Sequence, residues 1–162
     1  MSKWVVNDLT TISSNTGPAA DVSGTGNYLY METSYGSNGA TASFVSPTID
    51  FSALTQPTLS FSYHMYGATM GSLYVTVWDS VQYDTLWSIS GQQQSSSASA
   101  WTTAYVDLTG YKYAPTHIRV LGKRGSSFTG DISIDEFSVD EMPSCLLPTN
   151  FAMDSLSATY AS

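Results

Sequence analysis

Carboxylates are the residues of this 162-residue chain best suited to chemistry. In GDISIDEF, Gly130 to Phe137, Asp131, Ser133 and Asp135 alternate with Ile132 and Ile134. On a strand the two acids and the serine therefore share one face. Phe137 and Val139 then take up the opposite apolar phase, which requires an extra residue. A bulge near Asp135-Glu136 is expected there, and bulges re-aim side chains. Asp21 in TGPAAD and Glu32 in YLYMETS supply acids elsewhere in the chain. Clustered carboxylates of this kind attract hard cations such as calcium, which takes roughly 6 to 8 oxygen ligands. The plainer alternative is that these acids are solvated or accept bonds from loop N–H groups.

Catalytic arrangements find little support. The Asp131-to-Glu136 run resembles, in outline only, the strand of alternating acids in jelly-roll glycoside hydrolases. Its middle position is Ser133, and no third acid tunes the pair. His64 and His117 fall in strand patterns without a nucleophile elbow or oxyanion loop nearby. His64 is expected to pack and hydrogen-bond within its strand, and His117 to be exposed at a strand start. Tyr74 and Trp78 stand out of phase with the main apolar sets, where outward rings can stack on sugar faces. Trp4, Trp87 and Tyr63 are assigned to packing.

Composition narrows the partners. Thirteen acids against five bases give a net charge of −8, which removes the attraction that nucleic acid or an anionic membrane requires. No stretch is long and apolar enough to span a bilayer. Cys145 is the one cysteine and has no internal partner, so core packing, with or without a metal, must hold the fold. Met1-Ser2-Lys3 leads directly into Trp4-Val5-Val6 with no secretory leader, as expected of a fragment excised from a longer secreted protein.

The elements that must position these residues are strands. Charged residues are only 11% and aromatics 13%, a mix that favours sheet. Leu59, Phe61, Tyr63 and Met65 alternate with polar or smaller positions, as do Leu73, Val75 and Val77. Further strands are expected over Tyr28–Ser34, Ala40–Ser46, Gln82–Ser90, Trp101–Leu108, Thr116–Lys123 and Gly130–Asp140. Gly-rich turns such as GATMG and GSSFTG separate them. Thr10 to Asn27 is too long for an ordinary connection, so it is functional or tied down by a ligand. QQQSSSASA, Gln92 to Ala100, reads as a mobile polar loop. The pattern predicts an all-β fold, a two-sheet antiparallel jelly-roll sandwich over residues 1–141. Residues 142–162 form a linker and the truncated start of a second module, resembling a fibronectin type III repeat.

Five words in order, TGPAAD, YLYMETS, YHMYG, LWSISG and GDISIDEF, resemble the MAM domain. The resemblance covers roughly residues 4 to 140. It implies a jelly roll acting as a non-catalytic, extracellular module in a secreted or surface protein. The lack of the several cysteines common in that family points to a microbial member. It also implies a structural cation, with calcium held by Asp21, Glu32 and Asp135 and completed by Asp131 or loop carbonyls. The implied partner is a cell-surface or secreted protein, including self-association. The alternative is a carbohydrate-binding module that targets an attached enzyme to polysaccharide, with Tyr74 and Trp78 as its platform.

Overall fold

The computed structural model describes residues 2–143. Among these residues nine strands run in order: β1 (Lys3–Asn7), β2 (Tyr28–Glu32), β3 (Thr41–Val45), β4 (Pro57–His64), β5 (Ser72–Trp78), β6 (Tyr83–Ser90), β7 (Thr102–Asp107), β8 (Ile118–Lys123) and β9 (Ile132–Glu141). A 3-10 turn, Thr109–Tyr111, follows β7. The strands form two antiparallel sheets, one ordered β1-β2-β9-β4-β7 and the other β3-β8-β5-β6. The expected strands all form, with ends displaced by one or two residues. β1 was not expected, because KWVVN is short and its apolar residues run together rather than alternate. The fibronectin-like segment lies outside the described residues, apart from Met142 and Pro143.

Alternation selects the core. Met31, Leu59, Phe61, Tyr63, Ile132, Ile134 and Val106 meet Leu73, Val75, Val77, Ile118 and Val120 between the sheets. Trp4 and Trp87 pack against this cluster, as their assignment to packing required. Gly122 of β8 lies on the same inner side. A Cβ there would sit 2.3 Å from the Met31 sulfur, so the absence of a side chain is what lets Met31 reach the opposite sheet.

The bulge in β9 is present. Ser60 pairs with Ser138 and Ser62 with Asp135, so Glu136 and Phe137 together face the single residue Phe61. Glu136 takes up the distortion in the left-handed region, at φ +50°. Phe137 thereby re-enters the inner phase and meets Phe44 and Phe61, each with ring centroids 6.2 Å away.

Both long loops cover the outer face of the five-stranded sheet. The N-terminal loop is held by protein groups. Thr16 bridges to Gly67, Thr16 Oγ1 donates to the Tyr66 carbonyl, and Ala19 N–H donates to the Ser97 carbonyl. The glutamine- and serine-rich loop is anchored rather than free. Gln94 is buried, its Oε1 accepts from Met65 N–H at 2.7 Å, and its Nε2 donates to Thr102 Oγ1 at 3.1 Å.

Candidate functional site

Beneath those loops lies a buried polar layer on the outer face of the five-stranded sheet. Tyr30, Ser133 and His64 lie abreast on β2, β9 and β4, because Ser133 pairs with Tyr30 on one side and His64 on the other. Asp131 follows two residues before Ser133 on the same face. Asp131, Ser133 and His64 are all 0% exposed. Trp101 seals the layer, 5.5 Å from the His64 ring and 5.6 Å from Tyr28, with its indole N–H donating to the Ala20 carbonyl.

Burial sets the charge states. Loss of solvent pushes the His64 ring down to about 4, although the backbone of Ser96 and Ser99 approaches it. His64 packs as expected, but neither ring nitrogen has a hydrogen-bond partner, which corrects that part of the expectation. His117 is half-buried rather than exposed, its Nδ1 3.2 Å from the Ser46 carbonyl. Desolvation also pushes Asp131 up to about 6, against the bonds from Thr33 and with the nearby Glu32 charge adding to the rise. Tyr30 is raised likewise, by burial and by Glu32. The serine, histidine and aspartate of this layer resemble a hydrolytic trio in composition alone. A nucleophile closed off from solvent on every side meets no substrate.

The four acids of the expected cation site divide into two pairs. Asp131 and Glu32 flank Thr33. Asp131 Oδ1 accepts from Thr33 N–H at 3.0 Å and Oγ1 at 2.9 Å, while Glu32 accepts from Ser34 N–H at 2.7 Å and the Tyr30 hydroxyl at 3.2 Å. Both side chains are buried, and Asp131 Oδ2 has no hydrogen-bond partner. Asp21 and Asp135 lie at the other end of the face and brace the N-terminal loop. Asp135 Oδ2 accepts from Val22 N–H at 3.0 Å, and Asp21 Oδ2 accepts from the Ser23 hydroxyl at 2.6 Å. The Ser23 bond leads the causes that hold Asp21 below the usual carboxylate range. Among the described residues, no three His, Cys, Asp or Glu side chains converge as a metal-holding group. Each pair holds a buried carboxylate oxygen with no hydrogen-bond partner, Asp131 Oδ2 in one and Asp21 Oδ1 in the other. Both acids are buried in the Asp131–Glu32 pair, whereas Asp135 is half-buried.

The two aromatic candidates also part company. Tyr74 is half-buried on the outer face of the four-stranded sheet, between Ser88 and Leu121. Trp78, at the end of β5, packs on Tyr83 at 5.1 Å and lines a cup of about 230 Å³ with Tyr111, Tyr113, Asp79, Ser80 and Thr116. Tyr113 is 88% exposed there. Neither tyrosine of the cup was foreseen. YKYAP carries no alternation, and only the fold brings it beside Trp78.

Comparison with known proteins fits this architecture. The family description "MAM domain, meprin/A5/mu" matches residues 1–145. MAM domain-containing glycosylphosphatidylinositol anchor protein 1 of Rattus norvegicus is 40% identical over 134 residues, which cover 78% of this chain and 13% of that protein. Neuropilin-1 of Xenopus laevis is 29% identical over 140 residues, covering 85% of this chain and 14% of that protein. The chain thus spans about an eighth to a seventh of the length of these relatives. In structure, the K1 cleaved adhesin domain of Lys-gingipain from Porphyromonas gingivalis shares the fold with a TM-score of 0.60 at 13% identity, covering 88% of this chain and 85% of that one. Order of motifs, two-sheet topology and family match agree, and the chain belongs to the MAM domain family.

Proposed function

We propose that this chain is a non-catalytic, extracellular recognition module that binds a protein partner as one unit of a larger secreted or surface-displayed protein. One observation carries the proposal: the groups capable of chemistry are sealed beneath loops, while large apolar side chains face solvent. Asp131, Ser133 and His64 are fully buried, whereas Val6, Leu9 and Ile12 are 63%, 66% and 87% exposed within one short segment. Exposed apolar surface of that kind marks interaction sites. Membership of a family with relatives named as surface-anchor proteins supports the same function. A structural cation at Asp131 and Glu32 belongs to this proposal as a stabiliser of the covered face.

The test is binding of the purified chain to an arrayed panel of secreted and surface ectodomains, alongside a glycan array and sedimentation at several concentrations. Saturable binding to a protein is expected. Retention on glycans with no protein binding would reverse the assignment. A specific observation favours that second function, targeting to polysaccharide, because the Trp78 cup joins three aromatic rings to a polar rim. Trp78→Ala should abolish any glycan retention, and retention that survives it removes the cup from consideration.

A further inference from the structure

We propose that the second half of β9 is a strand-addition site for an extended basic segment of the partner protein. The proposal rests on the recognition function above and names its surface. β2 pairs with β9 only at Leu29–Met31, opposite Ile132–Ile134. β4 stays beside β9 to its end, with Pro57 opposite Glu141. Past the bulge, β9 therefore has β4 on one side and, among the described residues, no strand on the other. A strand edge offers unpaired N–H and C=O groups, and a peptide that adds to it gains main-chain hydrogen bonds along its length.

The open edge coincides with a gap between the sheets. A cleft of about 450 Å³ is lined there by Val6, Leu29, Phe44, Ile134 and Phe137, with Asp135 and Glu136 also at its wall. Phe137, placed by the bulge, is 36% exposed, and Val6 is 63% exposed. An added strand would lay alternate apolar side chains into this cleft, since successive side chains point to opposite faces.

Charge selects the partner. Asp135 and Glu136 at the bulge and Asp140 and Glu141 past it make this end of β9 acidic, and no Lys or Arg occurs from Gly125 to Glu141. Val22 N–H donates to Asp135, the Ser62 hydroxyl to Glu136, and Thr55 and Gln56 N–H to Glu141, while Asp140 has no side-chain hydrogen bond among the described residues. Bonds from Thr55 and Gln56 N–H hold Glu141 below the usual carboxylate range, so it stays ionised at neutral pH. A second copy docked edge to edge about a two-fold axis would set these acids against their own counterparts, and like charges across a strand pair destabilise it. A strand bearing Lys or Arg at alternate positions meets both the acids and the cleft.

The probe is an acetylated, amidated heptapeptide, Lys-Val-Lys-Ile-Lys-Val-Lys, titrated into the full isotope-labelled chain and followed by amide shifts and amide exchange. Expected results are saturable binding, slowed exchange confined to Glu136–Glu141, and weakening with added salt. The counterpart with Glu in place of Lys should not bind. Glu136→Lys with Asp140→Lys should weaken binding at least tenfold, and so should Val6→Asp. Glu136→Gln with Asp140→Asn, which removes charge without reversing it, should fall between. Absence of saturable binding, protection mapping elsewhere, or full affinity in the charge-reversed variant overturns the proposal. So does protection, in the free chain, of those Glu136–Glu141 amides that do not bond to β4, whether from its own remaining residues or from a second copy. Any ectodomain partner is measured against the same variants. If it still binds the charge-reversed chain, the recognition function stands and this site falls; if the wild-type chain binds no ectodomain at all, the function itself falls.

Discussion

Asp131 and His64 lie under the same loops but respond to pH with opposite signs. Asp131 has its proton affinity raised on folding, from 3.8 to about 6. The unfolded chain then loses that proton first, so stability is complete below about pH 4 and declines as pH rises to about 6, by at most about 3 kcal/mol. His64 is lowered on folding, from 6.5 to about 4. Its contribution is complete above pH 6.5 and is lost as pH falls toward 4. The two slopes oppose each other in the wild-type chain. Asp131→Asn, which keeps the oxygen that Thr33 bonds, should expose the histidine, so that stability drops on acidification from pH 6.5 to 4. His64→Phe should show the reverse slope, declining as pH rises over about 4 to 6. Urea unfolding at a series of pH values measures both. Calcium should raise the melting temperature of the wild-type chain at pH 7 and leave Asp131→Asn unmoved, because a ligand of the native state alone stabilises it. Equal indifference of both proteins to calcium and to EDTA would remove the cation. That Asp131 and Asp135 share one face of the last strand was legible in GDISIDEF. That the four acids divide into Asp131 with Glu32 and Asp21 with Asp135 was not, because each pair joins segments about a hundred residues apart.

Strands were far more legible than the loops that cover them. Leu59, Phe61 and Tyr63 show their common face through spacing alone, since a strand's side chains repeat every two residues. QQQSSSASA has no such periodicity, and its composition says nothing of Gln94 reaching back to Met65. The expected mobility therefore gave way to a buried amide that holds the loop over His64. Gln94→Ala would leave Met65 N–H without that acceptor, and a loss of about 1 to 3 kcal/mol should follow in urea unfolding. Amide exchange should quicken across residues 92–101. Gly67, the last residue of YHMYG, sits at φ +150°, and a Cβ there would fall 2.3 Å from the Thr129 carbonyl oxygen. Gly67→Ala combines a disfavoured backbone with a backbone clash. It should destabilise by more than about 2 kcal/mol, read from the same denaturation curves.

At the scale of the molecule, the last strand completes the first sheet. β9 lies between β2 and β4, so nearly the whole chain must be present before the central pairing can form. A chain ended at Gly130 should lack dispersed amide resonances and a cooperative melt, while the full chain refolds in milliseconds to seconds, as domains rich in non-local pairing do. A dispersed spectrum from the shortened chain would show that the β3-β8-β5-β6 sheet carries the fold alone. The sequence by itself determined the all-β class, the strands except β1, the bulge in β9 and the family, because those depend on local alternation and on ordered words. Only the tertiary structure decided which acids meet, that Ser133 and His64 are sealed together, that Tyr113 joins Trp78, and that half of β9 is left open beside an apolar cleft. Each of these is a contact between distant segments, set by how far one strand extends past its neighbour, and residue spacing along the chain carries no record of that.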